Sequence, residues 1–462
     1  MAILVLIPLI EDPHPISEAA IALRRSYADM YAQAALASAE STTSDHSNTV
    51  VSRISNTNGD QGPQSLLHPS LPLALEPVLA LLLLGVYEYC QRANRKQMRS
   101  RVYHALTLSM DLSLHARGSM DTEGLSSESR VWWMIMYLVY QSAIFNHSSP
   151  IVLVHDERIT TPFPDICGSR ELLPSLMRAQ DVLLKTGAIA KELTDEKLRG
   201  PYNQIRERIC EMDSLILGLA SQLDHTQYMN TAEGADASAS KNLWLMARYL
   251  VHTARIKLHR FRAFRDYPVF LDKFCDLSSI NSFYLSDYPQ ELSPDRLADI
   301  DMRFPFSEQE STNISLKAAL ALSRILRSLQ WPDPSYSESS SGPKPPEAID
   351  GLTGISVPPA FHPRYPRSLP YLACCGMQSY YVLITLLRKV HTSLRVGDLS
   401  TCYYLLIHPE PGTEREDAER LIEELRHGSK LVCDFMSSNA VFEGVSDMAR
   451  EVETIYSAQL HD

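Results

Sequence analysis

The cysteines and histidines are the side chains best suited to hold a metal, and their spacing indicates no metal site. The 8 cysteines occupy positions 90, 167, 210, 275, 374, 375, 402 and 433, without the CxxC pairs typical of structural zinc sites. His252 and His259 are seven residues apart and share one helix face, but no cysteine or carboxylate at a suitable spacing completes a ligand set. We expect both histidines to be packed or solvated, and this chain to bind no metal or other cofactor.

Five cations are concentrated in the segment TARIKLHRFRAFR. A basic helix face of this kind binds a phosphate group or an acidic partner. The alternative is a solvated helix end, because cations near a helix C-terminus are favoured by the helix dipole. The residues of this predicted contact face are Arg255, Lys257, Arg260, Arg262 and Arg265.

The motifs of common enzyme classes are missing from the sequence. It contains no Walker loop, no dinucleotide glycine fingerprint, no HExxH, no GxSxG elbow and no aspartate-rich terpene synthase motif. The chain has 43 Lys and Arg against 55 Asp and Glu, a formal charge of -12, which disfavours nucleic-acid binding over much of the surface. We therefore predict that the protein is not an enzyme and does not bind DNA directly through this chain.

The elements that position these residues are predicted to be helices. Apolar residues recur at steps of three and four along four segments, and no convincing alternating strand pattern is present. The four stripes are Ile205, Ile209, Met212, Ile216, Leu219 and Leu223; Leu243, Met246, Leu250, Ala254, Leu258 and Phe261; Leu372, Gly376, Tyr380, Leu383, Leu387, Val390 and Leu394; and Leu421, Leu425, Val432 and Phe435. Such faces must pack on one another, so we predict an all-α fold.

Composition divides the chain into three parts. Residues 1–330 form a helical body, in which Ser17 can cap an alanine-rich helix and the polar stretch 41–64 is predicted to be a mobile loop. Residues 331–366 are rich in proline and serine and form a linker or an insertion. Residues 367–462 form a C-terminal helical segment that we expect to pack on the same body. The apolar run 78–86 is too short to span a bilayer, and no secretory signal is expected.

The segment that begins at Leu79 resembles a family of transcription regulators. In the family, a leucine-rich helix ends in a Tyr-Glu pair and a second helix closes on a Leu-Gly-Leu-His sequence. Tyr87 and Glu88 match the pair, and Leu112, Leu114 and His115 match the closing sequence, in which Ser113 replaces the usual glycine.

The following stretch is similar to the most recognisable part of the same family, an acidic-basic pair before two tryptophans, then a proline, an aspartate and a proline-containing turn. A structural explanation is available for it, since the tryptophans can form the buried face of a core helix and Arg130 can bridge a neighbouring acid or carbonyl. The matching residues are Glu128, Arg130, Trp132, Trp133, Pro150, Asp156, Pro162 and Pro164.

On these residues the chain resembles the regulatory region of fungal zinc binuclear cluster transcription factors. The resemblance is strongest at 79–164 and extends over roughly 17–265; its departures near 139–150 suggest a divergent, xylanolytic activator-like subgroup. It implies a nuclear transcription regulator, with a specialised-metabolite or carbohydrate-use gene set as target. Family members bind DNA through an N-terminal cluster of six cysteines and two zinc ions, whereas the first 78 residues here contain no cysteine.

Two explanations follow for the missing cluster. Either the gene model lacks an upstream exon, and zinc and DNA bind there, or the chain regulates without touching DNA, through another transcription factor or as a dimer. The alternative function is a helical protein-protein scaffold or an unrecognised all-α enzyme.

Overall fold

The protein is described from a computed structural model, which covers residues 18–53, 71–118, 125–166, 168–194, 200–225, 235–265, 267, 270, 294–329, 368, 370–406, 412–440 and 442–459. In these residues the chain forms α1 Glu18–Arg53, α2 Glu76–Cys90, α3 Arg95–Asp111, α4 Leu125–Asn146, α5 Leu172–Thr194, α6 Tyr202–His225, α7 Ala235–Ala263, α8 Pro294–Arg303, α9 Glu308–Ser328, α10 Ala373–Val396, α11 Glu414–Ser438 and α12 Glu443–Gln459. The described residues contain no strand, and the all-α prediction is confirmed.

The apolar stripes read from the sequence become the buried faces of these helices. All six residues predicted for α6 are buried, and in α7 all but the half-buried Leu243 are buried. The α10 stripe is buried from Leu372 to Val390, and the four residues predicted for α11 are buried too. Burial of each large apolar side chain stabilises the fold by about 1.5–3 kcal/mol, so these faces carry the packing.

Helix α1 continues through a segment where a loop was predicted. The polar stretch 41–64 was expected to end this helix, but the helix runs to Arg53, so the prediction is wrong for 41–53. Serine, threonine and asparagine cost only about a few tenths of a kcal/mol each in a helix. The stretch from Ser41 to Asn58 contains no glycine or proline. Residues 54–64, like Ser17, lie outside the described part of the chain.

Two helix ends show how local sequence sets the boundaries. Ser307 and Glu310 form a reciprocal capping box before α9, in which the Ser307 hydroxyl accepts from the Glu310 amide at 3.2 Å and the Ser307 amide donates to the Glu310 carboxylate at 2.8 Å. At the C-terminal end of α10, Gly397 has φ 76°, a left-handed conformation that glycine adopts without strain.

The helices on both sides of 331–366 share one core. Buried apolar residues from Leu75 to Ile455 form one continuous cluster, and α10 and α11 pack against α9. Helix α10 also contacts α7, where the Tyr249 hydroxyl donates to the carbonyl of Leu372 at 3.4 Å. The segment 331–366 itself lies outside the described residues.

The last helix returns to the first part of the chain. The Glu443 amide donates to the Gln91 side chain at 3.0 Å, and the Glu443 carboxylate pairs with Arg25 of α1 at 2.8 Å. Beside it, Gly444 lies so close to the end of α2 that an added Cβ would sit 2.7 Å from the carbonyl oxygen of Cys90. Only glycine allows the backbones of α2 and α12 to approach this closely.

Two helical stretches are long and apolar enough to cross a membrane, Leu73–Cys90 and Pro370–Val396. The apolar window of the second is 100% buried inside the protein, and that of the first is 61% buried. Helices that are apolar on all sides are expected at the centre of a large helical core, so burial accounts for their composition.

Replacing Gly444 with alanine is predicted to loosen the C-terminal helix. The added methyl group meets backbone atoms that cannot rotate away, and overpacking of this kind costs about 1–3 kcal/mol. Chemical denaturation should show lower stability for Gly444→Ala. The matched control is Gly218→Ala in α6, where nothing lies within 4 Å of the added Cβ. The control should be neutral or up to about 1 kcal/mol more stable, and equal behaviour of the two variants would contradict the close approach.

Candidate functional site

The central residues of the family-like motif meet in space. The loop after α4 returns to the short turn Leu114–Ala116, where the amides of Thr160 and Thr161 both donate to the carbonyl of His115, at 2.9 and 3.2 Å. The ring of His115 lies 5.9 Å from that of the buried Trp132. Residues far apart in sequence therefore form one packed unit.

The start of α4 is bonded to the same loop through one carbonyl group. The Ser129 hydroxyl and the Trp133 indole N–H both donate to the carbonyl of Pro162, at 2.6 and 3.0 Å. Trp133 also stacks on Phe163, with ring centroids 3.6 Å apart. Because buried indole N–H groups need an acceptor, this geometry explains why a tryptophan and the turn at Pro162–Pro164 occur together.

The acidic-basic pair of the motif is not a pair in the structure. Glu128 forms an ion pair with Arg117, whose Nη2 donates to Oε1 at 3.1 Å and whose Nε lies 2.8 Å from Oε2, whereas Arg130 is exposed. Residues two apart on a helix do not face each other, so Arg130 points away from Glu128. We expected Arg130 to bridge a neighbouring acid or carbonyl. In the structure the partner of Glu128 is Arg117, which the sequence analysis did not identify.

Tyr87 and Glu88 lie away from this unit and hold α1 against α2. The Tyr87 hydroxyl donates to Asp29 at 2.8 Å, and Arg92 bonds the same carboxylate at 2.7 Å. Burial raises the pKa of Tyr87, and the bond to Asp29 raises it further. Burial likewise raises the pKa of Glu88, against the opposing charge of Arg92. These residues fasten helices rather than contact a ligand.

The remaining motif residues shape the loop after α4. Pro150 and Pro164 are buried. Asp156 forms a bidentate ion pair with Arg158 at the surface, in which Nε and Nη2 donate to the two carboxylate oxygens at 2.9 and 2.7 Å. The bonds from Arg158 hold the pKa of Asp156 well below its usual range. The motif residues are not among those that line the pocket described below.

Ser113, which stands where the family has glycine, adopts a glycine-like backbone. Its φ of 57° and ψ of 29° are left-handed, and it links α3 to the short turn that carries Leu114 and His115. An L-residue with a side chain pays about 1–2 kcal/mol in this conformation. Ser113 thus holds, at an energetic cost, a backbone conformation that glycine adopts without strain.

The predicted basic contact face does not exist as one face. Successive helix residues turn by about 100°, so Lys257 and Arg260 point to the side of α7 opposite Arg255 and Arg262. Lys257 and Arg260 are buried, with relative exposures of 4% and 2%. Gly187 of α5 makes room for the lysine, since an added Cβ would lie 3.2 Å from its Nζ.

The other three cations bind acids on neighbouring helices. Arg255 lies 3.4 Å from Asp213 of α6, and Arg262 and Arg265 both bond Asp301 of α8. All five cations are thus buried or engaged with neighbouring helices, so the prediction of a shared surface for phosphate or an acidic partner is wrong.

His259 forms a buried polar network rather than a metal site. Its Nε2 donates to Asp213 at 3.1 Å, which leaves Nδ1, 3.3 Å from the Ser311 hydroxyl, to accept. Histidine, serine and aspartate recur in hydrolases, but there the serine bonds Nε2 and is reachable by substrate. Here both His259 and Ser311 have 0% exposure. Among the described residues, no group of three or more His, Cys, Asp or Glu side chains could hold a metal.

A pocket of about 470 Å³ opens where α7 ends, α9 begins and the second half of α10 passes between them. Sites for small organic ligands have volumes of about 300–1,000 Å³. Its walls combine apolar groups with hydroxyls and charges. The lining residues with exposed or half-buried side chains include Tyr267, Glu308, Lys389, Thr392, Val396 and Tyr404.

Lys389 is the less exposed of the two cations that line this pocket. Its Nζ donates to the Tyr404 hydroxyl at 3.0 Å, and its side chain is half-buried. Desolvation opposes its charge, but the bond to Tyr404 and the nearby Glu308 outweigh this effect and raise the pKa of Lys389. It is therefore charged at neutral pH.

The acids of the pocket have other partners. The Glu308 carboxylate lies 3.3 Å from Arg265 Nε, and the Asp398 carboxylate accepts from the Ser400 amide at 3.0 Å. The turn that carries Tyr404 is held by Asn313 of α9, whose side-chain amide donates to the Tyr404 carbonyl at 2.9 Å. The pocket thus has positioned walls and one half-buried ammonium group.

Sequence reasoning identified none of the pocket residues as functional. The only local signal is the pair Arg388 and Lys389 within the otherwise apolar helix α10.

Comparison with known proteins adds no family assignment: no family model, no characterised protein and no solved structure matches the chain. The resemblance to zinc-cluster regulators therefore depends on the sequence alone, most strongly on the residues between 79 and 164.

Replacing Ser113 with glycine is predicted to stabilise the protein. Glycine removes the steric cost of the left-handed conformation but loses more freedom on folding, for a net gain of about 0.5–1 kcal/mol. Thermal melting should show a higher midpoint for Ser113→Gly. Ser100→Gly, at an exposed position within α3, is the control and should lower the midpoint. A lower midpoint for Ser113→Gly would be evidence against the strained turn.

The stability of the protein is predicted to fall as the pH decreases from about 6.5 to 4. Burial lowers the pKa of His252 to about 4, against about 6.5 in an unfolded chain, so the folded state binds fewer protons in this range. His252→Gln should flatten the dependence of the melting temperature on pH. The exposed His155→Gln should keep the wild-type slope, and an unchanged slope for His252→Gln would refute this linkage.

Proposed function

We propose that this chain is a regulator of transcription, built like the regulatory region of fungal zinc-cluster factors. The observation that carries the proposal is the packing of the motif residues, in which Ser129 and Trp133 share the carbonyl of Pro162 and the turn at His115 holds the same loop. Of the matching residues, His115, Trp132, Trp133 and Pro162 meet in this unit. A fold alone does not establish an activity, so the proposal requires a functional test.

The proposed regulator acts in the nucleus through protein partners, either another transcription factor or a second copy of itself. Its sequence contains no cysteine cluster for zinc, and its formal charge is -12, so contact with DNA is indirect or made by a segment outside this sequence. The target we propose is a gene set for specialised metabolism or carbohydrate use, a choice that has only the resemblance behind it.

An enzyme is the alternative, and the observation closest to favouring it is the network of Ser311, His259 and Asp213. Its serine bonds Nδ1 at 3.3 Å, and both Ser311 and His259 are fully buried. General base catalysis needs the base within hydrogen-bond reach of a bound substrate. We therefore propose no reaction and treat the network as a connection between α6, α7 and α9.

The decisive experiment fuses the chain to a DNA-binding domain of known target and measures a reporter gene in a fungal nucleus. We expect the fusion to raise or lower transcription several-fold relative to the DNA-binding domain alone. Deleting the native gene should also change the transcripts of a defined gene set. A reporter at the level of the DNA-binding domain alone, together with unchanged transcripts in the deletion strain, would reject the proposal.

Two neighbouring residues connect the reporter output with the motif. Trp133→Ala removes a buried side chain, at a cost of about 3–5 kcal/mol, and should abolish the effect of the fusion. Met134→Ala changes the next residue of the same helix, which is 51% exposed, and should leave the effect intact. Equal loss in both variants would show that the reporter effect does not depend on the packing of Trp133.

A further inference from the structure

We propose that the pocket between α7, α9 and α10 binds a small organic carboxylate, with the acid group on Lys389 and an apolar body against the exposed side chains of Tyr267 and Val396. This site goes beyond the proposed function and exists whether or not the chain regulates transcription.

Size limits the ligand to a small molecule. A volume of about 470 Å³ lies within the range of sites for organic metabolites and is too small for a folded partner. The walls come from three segments that tertiary packing brings together, around 263–267, 308–312 and 385–404. They are held in place by the bond of Asn313 to the Tyr404 carbonyl and by the contact of Ser393 with Thr401, at 2.9 Å each.

The positive charge of Lys389 favours a ligand that carries an acid group. The ammonium of Lys389 has three donor hydrogens, and its bond in the structure goes to a neutral phenol, Tyr404. The Glu308 carboxylate, the nearest acid, lies 3.3 Å from Arg265. A ligand carboxylate can therefore accept from Lys389 and from the Tyr404 hydroxyl together, and charge-assisted bonds of this kind are about twice as strong as neutral ones.

A monoanion fits better than a phosphate dianion. Two carboxylates, Glu308 and Asp398, line the pocket beside two cations, Arg388 and Lys389, and Arg388 is exposed. One half-buried ammonium balances one negative charge, whereas a second charge would face the acids. The exposed side chains of Tyr267 and Val396 then favour an aromatic or alkyl body on the acid.

The test measures binding of three probes, phenylacetate, 3-phenylpropionate and 4-phenylbutyrate, to the full chain by ligand-observed NMR and calorimetry. Their primary amides, which have the same body but no charge, are the chemical controls. We expect at least one acid to bind at millimolar concentration or better and its amide to bind about tenfold more weakly. Equal affinity of acid and amide, or no binding by any of the three acids, would overturn the proposal.

Variants then identify the site. Lys389→Met should weaken binding of the acid about tenfold to a hundredfold, and Lys389→Arg should retain most of it. Lys430→Met is the matched control, since Lys430 also lies over a tyrosine ring, 6.0 Å from Tyr456, but bonds Asp434 outside the pocket. It should bind the acid like the wild type.

A second variant keeps the proposal testable if Lys389→Met does not fold. Thr392 lines the pocket from an exposed position of α10, so Thr392→Phe should fill the space, preserve the circular dichroism spectrum and abolish binding. If a folded Thr392→Phe or Lys389→Met protein bound the acid with wild-type affinity, the acid would bind elsewhere and the proposal would be wrong.

Discussion

Helix α7 packs against α5, α6, α9 and α10, and the burial that this requires constrains the rest of the fold. A helix enclosed on most sides needs partners for its polar groups, because an unpaired buried donor or acceptor costs about 1–3 kcal/mol. Two side chains of α7 find them in neighbouring elements, through the bond of His259 to Asp213 and the bond of Tyr249 to the start of α10. Those polar contacts fix which helix lies on which side.

The sequence could predict the helices because their signal is local. The stripe of α6, from Ile205 to Leu223, follows the helical period, and each of its members is buried. The same local reasoning failed for the cations of α7, because residues close in sequence were assigned to one face although Lys257 and Arg262 lie on opposite sides. It also failed for 41–53, where the polar composition predicts a loop although no residue there prevents a helix.

Features made by distant segments could not be predicted in this way. Arg117 replaces Arg130 as the partner of Glu128 only because a turn places it there, and that turn depends on the left-handed backbone of Ser113. The pocket is an extreme case, since α7, α9 and α10 contribute its walls from segments separated by up to about 140 positions. No window of sequence contains enough of the pocket to reveal it.

The position of the pocket has a physical consequence for regulation. Its walls come from segments on both sides of 331–366, so a ligand contacting Tyr267 and Lys389 together would touch the two parts of the chain at once. A ligand that binds only the folded protein stabilises it by RT ln(1 + [L]/Kd). The C-terminal helices α11 and α12 pack on α10, and α12 reaches α2 through Gln91. A continuous series of packed helices thus connects the pocket with the motif-bearing half, and this is the route by which the proposed ligand would act on the proposed regulator.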